Sequence, residues 1–336
     1  MFALTPVDLT RSLGVLVEVE VSAKGKAVES LSGRDLVSVL DFSSAELAHI
    51  LELAVEVKAN AGHFGGALGG STLFMYFEKP SLRTRVTFEA GMTQLGGHAI
   101  YYTASDGKIG VRESVEDVAR NLERWVDGAM CRTFSHALVE ELARFADIPV
   151  INGLTDLLHP CQALADFLTL YEVKGELAGR RLVYVGDGNN VAHSLMNCGA
   201  RLGVHVGVIT PPGYEPDADV VAAARAAAQE SGARIELGTD MSLVDGADAV
   251  YTDVWASMGQ EDETAERRRI FLPFQIDAAA MERAGSDSVF MHCLPAHRGD
   301  EVTDEVADST QSVIFQQAEN RLHAQKGVLL ALLGGA

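Results

Sequence analysis

The sequence predicts an α/β protein of two domains, each a central, mainly parallel sheet flanked by helices, with a C-terminal helix returning to the first domain. Three observations predict it. A length of 336 residues suits two domains. Short apolar, strand-like runs alternate with helical segments along the chain. These runs form two series, separated by a helix at Ala163–Val173 that stops at Lys174-Gly175. The boundary is therefore placed at residue 165, giving domains 1–165 and 166–314, with residues 315–336 packing back on the first.

Taken in order, Val15–Val21 alternates apolar and acidic residues like a short strand and resembles no signal peptide. Ser44 to Lys58 is an amphipathic helix with Ser43 or Ser44 as its cap, followed by the glycine-rich connector Gly62 to Gly70. Strands are expected at Leu73–Phe77, Ala99–Tyr102, Gly128–Arg132 and Pro149–Ile151, with helices at Val86–Ala90 and Ser114–Trp125. In the second series, strands are expected at Arg181–Gly186, Val204–Thr210, Arg234–Leu237, Ala249–Thr252 and Ser288–His292. Val191–Leu202, Ala218–Ser231 and Ser242–Asp245 are the helices between them, and Ala318–Leu333 is the last helix.

Composition narrows the function. With 47% hydrophobic and 22% charged residues the chain is an ordinary globular protein. Its 27 basic against 47 acidic residues give a net charge of −20, which argues against a nucleic-acid partner. No apolar run approaches a membrane span. Cys131, Cys161, Cys198 and Cys293 lie far apart, with no paired metal-ligand spacing, as free thiols in a reducing cytoplasm would.

Against that negative charge, Glu78-Lys79-Pro80-Ser81-Leu82-Arg83-Thr84-Arg85 stands out, lying between a strand and a helix. A helix start offers unpaired N–H groups and partial positive charge, and arginines add forked donors shaped for phosphate. Basic residues in a first turn oppose the helix dipole, so two of them there ask for an anion. Four further clusters lie at strand ends or in loops. Arg132 ends its strand. His159-Pro160-Cys161-Gln162 opens the inter-domain helix, where His159 is either a donor to a carbonyl or phosphoryl oxygen or a structural histidine. Val185-Gly186-Asp187-Gly188-Asn189-Asn190 departs from the dinucleotide spacing, and its asparagines suit an amino-acid carboxylate or amine. The fourth cluster joins Asp253-Val254-Trp255-Ala256-Ser257-Met258-Gly259 to His292-Cys293-Leu294-Pro295. Here Asp253 could pair with an amine, residues 257–269 read as a mobile loop, and Cys293 is either a nucleophile or an inert buried thiol.

Together these segments resemble the ornithine carbamoyltransferase family from about Leu36 to the C-terminus. The serine-to-arginine segment at 81–85 is shared by transcarbamoylases in general; the clusters at 186–190, 253–259 and 292–295 resemble the ornithine enzymes. The resemblance implies carbamoyl transfer from carbamoyl phosphate to ornithine, with no metal or organic cofactor, in homotrimers or assemblies of trimers whose active sites lie at subunit boundaries. It implies that Ser81, Leu82, Arg83, Thr84, Arg132, His159, Gln162 and Arg321 surround carbamoyl phosphate, with Cys293 and Leu294 beside the carbamoyl group. Asn190, Asp253, Ser257 and Met258 would take ornithine, and Arg83, Arg132, His159 and Cys293 carry the catalytic assignment. Two departures are visible: the family usually has threonine at Leu82, and the residue donated by the neighbour, commonly glutamine or histidine, aligns with Lys108. The rivals are transfer to putrescine or N-acetylornithine, an NAD-dependent dehydrogenase using the Gly186–Asn190 turn, and a non-catalytic binding relative.

Overall fold

The computed structural model of the chain describes residues 30–256 and 261–334. The alternating segment at 15–21 and two of the expected ornithine ligands, Ser257 and Met258, lie outside them. The first helix, α1 (Ser44–Ala59), is capped by Ser43: its side chain accepts the Glu46 N–H, and Glu46 takes the Ser43 N–H at 2.7 Å. This reciprocal pair satisfies two otherwise unpaired donors and fixes the start of the helix.

The first sheet contains β1 (Thr72–Phe77), β2 (His98–Thr103), β3 (Gly128–Arg132) and β4 (Val150–Leu154), all parallel in the order β2-β1-β3-β4. The helices between them are α2 (Leu82–Gln94), α3 (Val115–Leu122) and α4 (His136–Phe145). Side chains alternate across the sheet. Leu73, Met75 and Phe77 enter the core beneath α1 and α2, while Phe74 and Tyr76 enter a separate core under α3 and α4. Both faces are covered, as an all-parallel sheet requires.

Helix α5 (Pro160–Lys174) leads into the second sheet, β5 (Arg181–Val185), β6 (His205–Ile209), β7 (Ile235–Gly238), β8 (Ala249–Thr252) and β9 (Val289–His292). These strands are parallel in the order β7-β6-β5-β8-β9. Around them lie α6 (Asn190–Leu202), α7 (Ala218–Ser231), α8 (Thr264–Phe271), α9 (Ala278–Ala284) and α10 (Asp304–Ala307). Every residue of α5 from Pro160 to Leu170 is buried, so this helix is the shared floor of both halves. The last helix, α11 (Ile314–Leu333), packs on α1, α2 and α5, so the C-terminus returns to the first sheet's side. Gly327 permits this approach, since a Cβ there would sit 2.6 Å from the Ile50 carbonyl oxygen of α1. Among the described residues no helix is long and apolar enough to cross a membrane.

Candidate active site

An open parallel sheet has a crevice where its strand order reverses, because the connections on either side leave toward opposite faces. In the first sheet this point lies between the C-terminal ends of β1 and β3; in the second it lies between β5 and β8. Of the expected site residues, those among the described residues gather at these two places, Lys108 excepted.

At the first, β1 runs through Glu78 into α2, which begins at Leu82, four residues earlier than the pattern indicates. Ser81 is its N-cap and accepts the Thr84 N–H at 3.2 Å. The N–H groups of Leu82 and Arg83 have no acceptor within the helix. The Leu82 side chain is 75% exposed and contributes no polar group. Arg132 ends β3 at an irregularity: Cys131 pairs with Asn152, but Arg132 pairs with Leu154. Such a bulge turns a strand's last side chain, and beside it Gly153 makes room for Met130, since a Cβ there would meet Met130 Sδ at 2.4 Å.

Thr84 is the centre of this cluster. Its buried hydroxyl oxygen accepts from Arg321 Nη2 at 3.1 Å and, at a longer 3.4 Å, from Arg132 Nη1. With both lone pairs engaged, only its O–H is left to donate. Arg83, on the same turn, forms no ion pair among the described residues. The Nε atoms of Arg132 and Arg321 and Nδ1 of His159 are buried without a hydrogen-bond partner. Burial, then Arg321 and Arg83, push the Arg132 guanidinium down to about 9. Burial, then Arg321, Arg132 and Arg83, hold the His159 imidazole well below its ordinary range, so it is neutral near pH 7. Two guanidiniums on one hydroxyl and a third, Arg83, on the same turn, none of them in an ion pair among the described residues, are what an anionic ligand would complete.

His159 precedes α5, and its backbone N–H donates to Ser194 Oγ of α6 at 2.7 Å. One turn on, Gln162 Oε1 accepts from Arg321 Nη1 at 2.6 Å.

At the second reversal, Asn189 caps α6 by accepting the Val191 and Ala192 N–H groups. Its Nδ2 donates to Asp253 Oδ2 at 3.0 Å. Asn190 instead reaches Thr155 O on the first half at 2.5 Å. Asp253, buried just beyond β8, also accepts from Cys293 Sγ at 3.0 Å and from the Val254 N–H at 2.8 Å. Burial and this carboxylate push the Cys293 thiol well above its ordinary range. It is therefore a protonated donor near pH 7, and the nucleophile alternative falls away. Asp253, His292 and Cys293 bring one potential metal-ligating atom each within 4.8 Å of the others. His292 already uses both nitrogens, accepting the Leu294 N–H on Nδ1 at 2.8 Å and facing Glu301 at 3.2 Å through Nε2. Leu294 has φ +60°, a conformation costly for a branched side chain, held at the rim of the site by that bond.

The turn at Gly186–Asn190 is closely packed at its second glycine. A Cβ on Gly188 would lie 2.3 Å from Pro216 N, so the glycine is needed by the neighbouring 214–216 backbone. Nor is all of 257–269 a loop: Thr264–Phe271 is α8, fixed where Arg267 pairs with Asp187 at 2.8 Å and lies 5.0 Å over the Tyr214 ring. Lys108 is 57% exposed and 3.7 Å from Glu78 of its own chain, outside the guanidinium cluster.

Two parallel-sheet domains thus meet at a cluster of three guanidiniums and a carboxylate-and-thiol pair. The first half, residues 34–172, matches the family model described as the aspartate/ornithine carbamoyltransferase, carbamoyl-P binding domain. Residues 178–332 match that of the Asp/Orn binding domain. The chain belongs to the aspartate/ornithine carbamoyltransferase family.

Within it, the chain is 54% identical over 310 residues to the ornithine carbamoyltransferase of Anoxybacillus flavithermus, covering 91% of this chain and 99% of that one. The solved structure of ornithine carbamoyltransferase from Pyrococcus furiosus superposes with a TM-score of 0.89 at 54% identity, covering 92% of this chain and all of that one. The enzyme from Gloeobacter violaceus superposes with a TM-score of 0.81 at 45% identity, over 90% and 99% of the two chains.

Proposed function

We propose that this chain transfers the carbamoyl group of carbamoyl phosphate to the δ-amine of L-ornithine, giving L-citrulline and phosphate. The observation that carries the assignment is the set of uncompensated guanidiniums around Thr84 at one sheet's reversal point, with the buried Asp253 at the other's. Domain boundaries at residue 165 and residue 314, with 315–336 returning to the first domain, divide these two functions.

The Ser81 hydroxyl, the Leu82 and Arg83 N–H groups and the Arg83 side chain bind phosphate at the start of α2. The backbone amide at Leu82 suffices where a hydroxyl is missing, because an anion at a helix start is held mainly by N–H groups. The δ-amine attacks the carbamoyl carbon, and the carbonyl π pair moves onto oxygen to give a tetrahedral oxyanion. Arg132, Thr84 O–H and the neutral His159 donate to that oxygen. Gln162, Cys293 and Leu294 surround the carbamoyl nitrogen. As the intermediate collapses, the C–O bond to phosphate breaks, Arg83 and Arg321 take up the growing charge, and the departing phosphate accepts the amine proton.

The amine must be neutral to attack, although a free one has a pKa near ~10.4. A site rich in guanidinium charge favours the neutral form. Asp253 belongs at the α-amino end, with Asn190, Ser257 and Met258, since a carboxylate beside the δ-amine would raise its pKa.

Citrulline-type product formation from carbamoyl phosphate, measured with ornithine, putrescine and N-acetylornithine, tests the assignment. Turnover with ornithine alone is expected. Preference for either other amine would overturn the roles of Asn190 and Asp253 while sparing the phosphate site.

A homotrimer is also proposed, with Lys108 reaching the phosphate of a neighbouring subunit. Near Lys108 two large apolar side chains are exposed, Val111 at 73% and Trp125 at 71%, among charged residues including Asp106, Arg112 and Glu113, a mixed face of the kind subunit contacts use. Lys108→Glu and Arg83→Ala are each expected to inactivate. Co-expressed, they should regain activity, because mixed trimers contain a boundary with Arg83 on one side and Lys108 on the other. No recovery would place Lys108 outside the neighbour's site.

A further inference from the structure

One turn beyond Gln162 on α5, Asp166 is fully buried and forms no ion pair among the described residues. Its oxygens take three hydrogen bonds from three elements. Gln162 Nε2 and Gln317 Nε2 both donate to Oδ1 at 2.7 Å, and the Tyr251 hydroxyl donates to Oδ2 at 3.2 Å. Burial pushes this carboxyl up to about 7, so the position is an unfavourable place for a charge. An apolar residue would fill the volume more cheaply, and the bonding pattern indicates what a carboxylate adds.

Both Asp166 oxygens act as acceptors here, so each carboxamide beside it turns its NH2 toward it. That choice sets the opposite end. For Gln162, Oε1 is turned to Arg321 Nη1, and Arg321 reaches Thr84 through Nη2. For Gln317, Oε1 is turned to the backbone N–H of His292 at 2.9 Å, immediately before Cys293. A flipped Gln162 would aim its NH2 at the Arg321 guanidinium; a flipped Gln317 would aim its NH2 at the His292 N–H. Tyr251 closes the network, accepting the second Gln317 proton at 3.1 Å. Burial and the Asp166 charge keep its hydroxyl protonated and donating.

We propose that Asp166 is a positioning residue for carbamoyl transfer, fixing the Gln162 and Gln317 carboxamides so that Arg321 and the His292–Leu294 turn converge on the carbamoyl group. The inference rests on carbamoyl phosphate being the ligand at Thr84. If the unaltered chain forms no product, that assignment fails; the Asp166 test applies to the active chain.

Steady-state kinetics of the full-length chain provide the test. Asp166→Leu removes the shared acceptor and is expected to lower kcat/KM for carbamoyl phosphate by about 10- to 100-fold. Asp166→Asn can accept both glutamines on one oxygen and is expected to stay within about threefold of the parent, since both bonds survive. In a Gln162→Ala background, Asp166→Leu should cost much less than it does alone, because coupled residues are not additive. A merely structural aspartate would lower the melting temperature and leave these ratios unchanged. That result, equal damage from the asparagine and leucine exchanges, or full additivity with Gln162→Ala would each overturn the proposal. Should Asp166→Leu not fold, Gln317→Leu tests the other arm. A rise of about tenfold in KM for carbamoyl phosphate is expected from the lost bond, and an unchanged KM overturns the proposal.

Discussion

Arg83→Ala is expected to lower kcat by about two to three orders of magnitude, the usual loss when a preorganised charge-stabilising donor is removed, and to leave the fold intact. Arg83 sits on the first turn of α2, where its charge opposes the helix dipole. It forms no ion pair among the described residues, and its charge bears on Arg132, Arg321 and His159. In the free protein it therefore contributes repulsion, and its removal should hold or raise the melting temperature. Carbamoyl phosphate reverses that balance, because two negative charges in the cluster turn repulsion into attraction. Thermal shifts with and without carbamoyl phosphate separate the effects: the parent should gain stability on adding it, and Arg83→Ala should gain little. Near-parent turnover, or an undiminished ligand shift, would remove Arg83 from the phosphate site.

This cluster was legible in the sequence because its signals are local. Two arginines at a helix start contradict the helix dipole, and that contradiction is visible in one dimension. The same holds for Asp253, a lone carboxylate closing an apolar strand. Asp166 is different. Between Gln162 and Gln317 it looks like one more polar residue on a helix, and only the fold shows that all its neighbours are buried. An i, i+4 glutamine–aspartate pair on the inter-domain helix was the available clue. Helix α4 (His136–Phe145) escaped the sequence reading because it buries just Val139 and Leu142, a weak periodic signal. Helix α8 reads as loop in the sequence because half of Thr264–Phe271 is charged. Its start and orientation depend on Arg267 meeting Asp187 and Tyr214, which are distant in sequence. Conversely, Ser242–Asp245 was read as a helix and is a single 3-10 turn at Met241–Val244, ended by Asp245. At Gly186–Asn190 the glycines invite a nucleotide reading, but Gly188 serves the packing of the 214–216 backbone, and this half of the chain matches the Asp/Orn binding domain.

Asp253→Asn should raise KM for ornithine by about two to three orders of magnitude while moving KM for carbamoyl phosphate little. Truncating a buried, hydrogen-bonded charge that pairs with a ligand charge typically costs about 2–5 kcal/mol. The asparagine keeps the volume but cannot neutralise an ammonium. It also has one acceptor oxygen where the carboxylate serves Asn189 on one side and Cys293 and Val254 on the other. Either its NH2 faces the Asn189 NH2, or Cys293 loses its acceptor. A second readout follows from the thiol. Asp253 is among the groups that hold Cys293 protonated, so removing its charge lets the thiol ionise at lower pH and react faster with iodoacetamide at a given pH. Faster alkylation together with a selective loss of ornithine affinity would fix Asp253 beside both the thiol and the amino acid. If KM for ornithine stays within about threefold of the parent, well short of what losing a buried charge pair costs, Asp253 does not bind the α-amino group and the ornithine site lies elsewhere along the cleft.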